Sequence, residues 1–153
     1  MAPTTLPDFL DSLVGALGTR NGLSGVNIFS CPVAPEDLGM EGIEFGEEVT
    51  VEQTLAAMGS TVIAETYSVP GSLLVAASTS KLGINVSAKA ARDRCAAILA
   101  EIVAELGSND TMTGSVQDVQ IASQNWHQGM RPDPPARVVW VEFALNVTAR
   151  VTP

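Results

Sequence analysis

The sequence predicts one α+β domain, with a mostly antiparallel sheet and two helices packed on one of its faces. Two observations support this prediction. Residues 87–106 carry apolar side chains at steps of three and four, which indicates a long amphipathic helix. Residues 138–151 alternate apolar and polar side chains, which indicates a strand. Helical and strand segments do not alternate along the chain, so a doubly wound parallel sheet is not expected.

The size and composition are those of a single globular domain, expected to cover residues 1–153. The chain has 46% hydrophobic and 16% charged residues. Aromatic residues are few, so the core is expected to consist of Val, Leu, Ile and Ala. The N-terminus lacks a signal-peptide pattern, and no apolar stretch reaches the ~18 residues that suggest a transmembrane helix. We therefore expect no membrane partner.

The N-terminal half is expected to begin with a helix and to continue as short strands. Residues 5–17 form the predicted helix, in which Thr5 and Asp8 make a capping-box-like start. A helical interpretation of the second half of 48–58 stays open. The Pro-Gly pair at 70–71 is expected to break or bend the chain. The predicted strands of this half are 26–31, 40–45, 48–58, 61–69 and 73–77, and the predicted loop is 32–38.

The predicted long helix begins with Asn85 or Ser87 as its N-cap and ends before Gly107, which suits a left-handed C-terminal cap. Cys95 falls on its apolar face, where a reduced thiol packs as a small hydrophobic residue. The other cysteine is Cys31, and two cysteines are too few for a disulfide framework. A reducing compartment during folding is therefore expected.

The last two strands are predicted at 116–126 and 138–151. Residues 128–136 contain three prolines, so they are expected to form a protruding loop without regular structure. If the two strands form a hairpin, this loop lies at its tip. A tip that carries Trp, Met and Arg suits a protein partner, and a disordered tip without function is the alternative. The candidate interface loop comprises Trp126, Met130 and Arg131.

The net charge of −9 is unevenly distributed, because no basic residue lies between Arg20 and Lys81. An acidic segment repels phosphate, so direct nucleic-acid binding is disfavoured. The segment is either a solvated face that aids solubility or a functional face. A functional face would meet a basic partner or line a passage to which DNA must not stick.

The residue types that perform catalysis or bind metals form no recognisable set. His127 is the only histidine, and Cys31 and Cys95 do not complete a set of metal ligands with it. It is expected to be a loop residue beside Trp126. Gly-x-Ser-x-Gly, GxxxxGK and GxGxxG do not occur. We expect no enzyme activity, cofactor or metal. A small α+β enzyme or ligand-binding domain stays an alternative that would need a deep pocket with titratable groups.

The order of the segments points to a family. A short N-terminal helix precedes an acidic set of strands that Gly and Pro punctuate. An Ala-rich helix with Arg92 and Arg94 follows, and the final hairpin ends Val-Glu-Phe-Ala-Leu-Asn-Val-Thr-Ala-Arg at 141–150. This layout resembles the siphophage tail terminators, the tail-completion or head-tail joining proteins of actinobacteriophages. The likeness covers most of the chain.

The resemblance implies a structural virion protein and no enzyme. Such proteins form a ring, here expected to be a hexamer, that caps the head-proximal end of the phage tail tube. The ring stops tube polymerisation and joins the tail to the head connector. The implied partners are further copies of the chain, the tail tube protein and a head-closure or connector protein. DNA passes through the lumen without specific binding. The implied location is the neck region of the virion tail, after assembly in the host cytoplasm.

Within this interpretation, the acidic segment supplies the lumen or partner face of the ring. Ring closure would also hide strand edges that otherwise invite open polymers. Another neck protein, such as a head-closure or connector component, is the alternative within the same class. The candidate binding residues of the lumen or partner face are Glu41, Glu44, Glu47, Glu48 and Glu52.

Overall fold

The computed structural model of the chain describes residues 3–59, 61–78, 83–112, 114, 116–132 and 135–152. Its helices are α1 (Leu6–Gly18), α2 (Pro35–Leu38) and α3 (Ile84–Ser108), and a 3-10 turn occupies Asn21–Leu23. Its strands are β1 (Asn27–Phe29), β2 (Glu41–Phe45), β3 (Val51–Leu55), β4 (Ile63–Ser78), β5 (Asp118–Pro132) and β6 (Pro135–Val151).

The predicted fold class is confirmed. The six strands form one mixed, mostly antiparallel sheet in the order β1-β2-β4-β6-β5, and β3 pairs with β4 beyond the end of β2. Among the described strands, only β1 and β2 run parallel. β5 and β6 form the predicted C-terminal hairpin. The strand interpretation of 48–58 holds over β3, and its helical alternative is wrong.

The core lies between the sheet on one side and α1 and α3 on the other. Paired residues of neighbouring strands share a face, and successive residues alternate between faces. Leu73 of β4 therefore lies beside Val141 of β6 on the side of the helices. Phe9 of α1 and Ile98 and Ile102 of α3 cover them, and all five side chains are fully buried. The apolar stripes expected for both helices are confirmed at these positions.

Three strands give the molecule its length. β4 and β6 pair over their whole common extent, starting with Ile63 opposite Val151, and β5 pairs along the other edge of β6. A strand of 16 residues is about 50 Å long at about 3.3 Å per residue. A globular domain of this chain length has a diameter of about 40 Å. The sheet is therefore longer than a spherical domain of this size.

The predicted break at 70–71 does not occur, and one strand replaces the two that were expected. The carbonyl of Pro70 accepts a hydrogen bond from the nitrogen of Gly46 at 2.9 Å. The ring nitrogen of Pro70 faces the same side, in the gap between the β2 and β3 pairings, where no ladder needs an N–H. Gly71 is required by packing, because a Cβ there would lie 2.5 Å from the ring of Phe143.

The predicted ends of the long helix are corrected by its hydrogen bonds. α3 begins at Ile84, and its N-cap is Gly83 without a side-chain capping bond, so neither Asn85 nor Ser87 is the cap. Gly107 lies inside the helix rather than in a left-handed cap, and the helix continues one residue further. No helix in the described ranges is long and apolar enough to cross a membrane.

Two segments that were predicted to be irregular are regular. Within the expected loop 32–38, α2 begins at Pro35, a position that a helix tolerates because its first N–H groups have no partners. The expected loop 128–136 is wrong as well, because β5 and β6 stay paired until Pro132 opposite Pro135. Both prolines occupy the last pair of the hairpin, where a missing N–H disturbs the ladder least.

Two arginines fasten α3 to the elements around it. Arg94 donates from Nε and Nη2 to the two carboxylate oxygens of Glu41 on β2, at 2.9 and 2.8 Å. Arg20, which follows α1, donates to Glu105 and Glu101 of α3, each at 2.7 Å. The hydrogen bonds to these carboxylates raise the pKa of both guanidinium groups. The ion pairs therefore orient α3 on the sheet.

Truncation of the α3 stripe tests this packing. Ile102→Ala removes a fully buried side chain and is expected to lower the free energy of unfolding by about 2–5 kcal/mol. Val86→Ala, on the same helix but 48% exposed, is the control and should change it by no more than about 0.5 kcal/mol. Urea unfolding followed by circular dichroism measures both. Equal losses in the two variants would contradict the packing described here.

Candidate functional site

The structure divides the predicted acidic face. Glu41 lies on the side of the helices, where Arg94 binds both of its oxygens. It is thus a structural ion-pair partner on the core side of β2, away from the other members of the set. Its removal from the predicted face is a correction, and the alternation of β2 explains it, because Ile43 and Phe45 share its side and are buried.

The other four glutamates lie on or beside the opposite side of the sheet. Glu44 belongs to β2 and Glu52 to β3, and both occupy strand positions that face away from α1 and α3. Glu47 and Glu48 are exposed in the link between these two strands. The structure therefore brings four of the five predicted residues into one neighbourhood.

We call the side of the sheet away from α1 and α3 the open face. No described element covers its central rows, although α2 rests on Gly42 at one corner, with the carbonyl oxygen of Leu38 2.6 Å from where a Cβ would lie. Its central rows are polar, as expected for the solvated side of an antiparallel sheet, whereas Leu74, Ala76, Val138 and Trp140 form an apolar cluster toward the hairpin tip. Two rows of paired residues cross four strands: Glu44, Ser72, Glu142 and Asn125, and Glu52, Thr66, Thr148 and Asp118.

A shallow concavity of about 390 Å³ opens on this face beside the β2–β3 link. Glu44, Glu47 and Glu142 line it together with Ser72. One oxygen of Glu44 accepts a hydrogen bond from the backbone nitrogen of Val33 at 2.8 Å, which fixes that side chain at the rim. The arrangement gathers three carboxylates and no basic group, so it presents a negative surface.

The basic residues lie on both sides of the sheet, with fewer of them on the open face. Arg20, Arg94 and Lys89 are each paired with a carboxylate on the side of α3. By strand register, Arg150 and Arg131 lie on the side of the open face. The carboxylates in the two central rows outnumber these two arginines, and an excess of negative charge on one surface repels polyanions and attracts cationic partners.

The candidate interface residues lie on a strand and not in a loop, which corrects their predicted setting. Trp126 and Met130 are on the helix side of β5, 43% and 64% exposed. Arg131 points to the other side, where its guanidinium donates to the carbonyl of Gly39 at 3.3 Å and approaches the sulfur of Met40 at 3.8 Å. These two residues precede β2, three strands away, so the sheet is curled at this end. The structure therefore does not gather the three predicted residues on one surface.

His127 also belongs to β5 and not to a loop. Its ring stacks on that of Trp140, with centroids 5.1 Å apart and an interplanar angle of 11°. Its Nε2 lies 3.5 Å from a carboxylate oxygen of Glu142. In the described ranges, no three His, Cys, Asp or Glu side chains come together as metal ligands would. The contacts of His127 are those of a residue packed on the open face.

Glu65 is a site residue that the sequence analysis does not single out. It is fully buried on β4 and accepts hydrogen bonds from the nitrogen and the hydroxyl of Thr5, at 2.9 and 2.6 Å. Thr4 and Gln53 also donate to it, at 3.0 and 2.7 Å. Thr5 therefore does not form the expected capping box with Asp8, because its hydroxyl is bound to β4.

The environment of Glu65 shifts its ionisation. Burial alone raises the pKa of a carboxyl group, but the hydrogen bonds from Thr5, Gln53 and Thr4 outweigh it, and the net pKa is lowered from 4.5. The hydroxyl of Tyr67 lies 3.0 Å from that of Thr5, and burial raises the pKa of Tyr67 to about 12. The charged carboxylate thus anchors the start of α1 to the sheet. A lone glutamate at a core-facing strand position was the available signal for it.

Comparisons with known proteins give structural likenesses only. No protein-family model and no curated protein matches the chain. Among the solved structures that match it is one described as "Virion of native gene transfer agent (GTA) particle". The two chains are 10% identical, the alignment covers 92% of this chain and 94% of that one, and the TM-score is 0.43. A TM-score of this size carries no conclusion about fold or function.

Glu65→Gln tests the anchor of α1. Both carboxylate oxygens of Glu65 accept hydrogen bonds, one from Thr4 and Thr5 and the other from Gln53, so the amide NH2 of the variant faces a donor in either orientation. The variant is therefore expected to lower the free energy of unfolding by about 1–3 kcal/mol at neutral pH. A lowered folded-state pKa gives stability that is present above the unfolded pKa of 4.5 and is lost as pH falls through the folded pKa. The difference in free energy of unfolding between the variant and the natural chain should therefore become smaller as the pH falls.

Glu52→Gln is the matched control, because Glu52 is exposed on the neighbouring strand. It should leave both the stability and its pH dependence nearly unchanged. Chemical unfolding between pH 3 and pH 7 measures the two variants. A Glu65→Gln variant as stable as the natural chain across this range would refute the anchoring role.

Proposed function

We propose that this chain is a structural virion protein, a tail terminator that forms a ring at the head-proximal end of a phage tail tube. The ring stops tube polymerisation and joins the tail to the head connector. Its partners are further copies of the chain, the tube protein and a head-closure or connector protein, in the neck of the virion. Another neck protein, such as a connector component, is the alternative within the same class.

The observation that carries this proposal is the open face. Its central rows, which include Glu52 and Glu142, are polar and acidic, and no described element covers them in a single copy. A ring in which this face lines the lumen would repel the phosphates of passing DNA and so let it slide without sticking. The same face explains why four of the five predicted glutamates share one neighbourhood.

The margins of the sheet also support an assembling protein. β5 is an edge strand of 15 residues, and between Asp118 and Arg131 it has no Asp, Glu, Lys or Arg. Monomeric proteins usually protect a long edge with charges, proline or a covering element, because free N–H and C=O groups recruit further strands. Apart from an irregularity between Ile121 and Ser123 and the Arg-Pro pair at its end, this edge has no such protection. A long edge of this kind suits a chain whose copies, or partners, cover it.

The assembly state is the direct test. Purified chain is expected to give a single species near six subunits by native mass spectrometry, and rings with a central hole by negative-stain electron microscopy. A head-to-tail contact either closes into a ring or grows into an open fibre. A protein that stops the polymerisation of the tail tube needs the closed form, so we expect a ring. A chain that remains a strict monomer at high concentration would contradict the proposal, and open filaments would contradict the terminator role.

Charge reversal on the open face tests the lumen assignment. Rings of the natural chain are expected not to bind double-stranded DNA, whereas rings of the triple variant Glu44→Lys, Glu52→Lys and Glu142→Lys are expected to bind it. The retained complex should weaken steeply as salt rises, because counterion release drives contacts with phosphate. Fluorescence anisotropy with a labelled duplex at low and high salt measures the change.

A control separates the face from the total charge. Asp8→Lys, Asp11→Lys and Asp93→Lys make the same change in net charge at exposed positions outside the open face. This variant should not gain the same retention of DNA. Equal DNA binding by both triple variants would remove the lumen assignment. A normal far-ultraviolet spectrum is required of each.

A further inference from the structure

We propose that copies of this chain join head to tail through two opposite margins of the sheet, an arginine-bearing margin at β5 and a glutamate-bearing margin at β3. This inference rests on the proposed ring and names the surfaces that would close it. The occupant of each margin is therefore the other margin of a second copy.

The first surface, here called the β5 margin, combines a strand edge that is uncharged between Asp118 and Arg131 with two arginines that form no ion pair with a described residue. Arg92 of α3 donates to the side-chain oxygen of Gln128 on β5 at 3.0 Å and forms no ion pair with any described residue. The Nε of Arg137 is buried without a hydrogen-bond partner in the described part of the chain. Exposed Met130 lies opposite Arg137 in the hairpin. A carboxylate of a second copy would pair with the terminal nitrogens of this guanidinium group, because the Nε itself is closed to solvent.

The β5 margin also has an apolar groove between α3 and β5. The groove has a volume of about 480 Å³. Its apolar lining includes Leu106, Ile121 and half-exposed Val103, and Asp110 and Asp118 lie at its end away from Arg92 and Arg137. Trp126, 43% exposed, follows two residues later on the same side of β5. Apolar side chains of a second copy would lose water in this groove, and aromatic and arginine residues often dominate such contacts.

The second surface, here called the β3 margin, lies at the other side of the sheet. Leu55 ends β3 with 66% exposure, and Met58, in the turn that follows, is fully exposed. Glu47 and Glu48, just before β3, are exposed and form no ion pair with the described residues. The whole interval between Arg20 and Lys81 lacks basic residues. The β3 margin therefore offers apolar side chains and free carboxylates together.

The two margins complement each other in charge and in apolar character. Arg92 and Arg137 would meet Glu47 and Glu48 of the next copy, and Leu55 with Met58 would supply the apolar contact for the groove. Two β5 margins that met each other would instead bring arginines against arginines, and two β3 margins would bring carboxylates against carboxylates. Like charges across a contact select against that pairing. The complementarity therefore favours a heterologous contact, the type that can close a ring.

A charge-swap experiment tests the contact. Variant X carries Arg92→Glu and Arg137→Glu, and variant Y carries Glu47→Arg and Glu48→Arg. Each variant alone is expected to lose the assembly of the natural chain, with a loss of at least tenfold in association constant. An equal mixture of X and Y should restore assemblies in which both chains alternate, because each reversed margin then meets its opposite. Sedimentation velocity and native mass spectrometry measure the species.

The outcomes are distinguishable. If Y alone assembles as well as the natural chain while X does not, the contact joins two β5 margins and the head-to-tail inference is wrong. If rings persist in both X and Y, this inference is overturned while the ring itself stands. If neither the natural chain nor the mixture assembles at high concentration, the ring proposal and this inference fail together. Restoration of assembly only in the mixture supports the inference.

A second variant guards against a folding defect, because Arg137 is partly buried. Arg92→Glu with Met130→Glu places negative charge at two exposed positions of the same margin. It should behave as X does, both alone and in a mixture with Y. The unfolding midpoint and the far-ultraviolet spectrum of each variant identify any loss of fold. If this folded variant assembles alone like the natural chain, the β5 margin is not the contact.

Discussion

The sixteen consecutive residue pairs between β4 and β6 decide which side chains of the sheet are buried and which stay in water. Side chains alternate along a strand, so a slip of one residue would carry the core residues of β6 to the open face and Glu142 into the core. The pairing is held by what it buries, with Leu73 beside Val141 and Val69 beside Leu145. Because β2, β3 and β5 pair with these two strands, the register of one strand pair determines both faces of the molecule.

Periodicity is sufficient to predict the elements whose own residues determine their structure. The stripe of α3 and the alternation of β6 need no knowledge of the partner, because either pattern can bury its apolar side in only one way. The prolines are different, because their effect depends on what lies beside them. Pro70 breaks nothing, since its nitrogen faces a gap between two short strands, and Pro132 and Pro135 close a hairpin instead of opening a loop. The ends of α3 were also mispredicted, because they depend on the backbone hydrogen bonds at each end and not on the apolar stripe.

The site is harder to predict than the fold for a related reason. Glu41 and Glu44 look alike in the sequence, yet Arg94 takes the first into an ion pair and the second faces water. The alternation within β2 could separate them, but the arginine partner is known only once α3 is in place. Glu65 shows the limit more clearly. The alternation of β4 could have placed its carboxylate on the core-facing side. The hydrogen bonds from Thr5 could not have been predicted, because they form only when α1 packs on the sheet.

A sheet with helices on one side leaves its open face and its two margins in water, and their chemistry suits them to different partners. The central rows of the open face hold hydroxyl, amide and carboxylate groups. Removing these groups from water is unfavourable, and contact with an apolar surface does not offset that loss of hydration. The margins hold exposed apolar side chains, Leu55 and Met58 at one side and Trp126 and Met130 at the other, whose burial is favourable. Association should therefore use the margins and spare the open face. Copies joined edge to edge would extend the sheet laterally. The apolar residues at the margins would then close the ring, and the polar and acidic residues of the open face would form its hydrated lining.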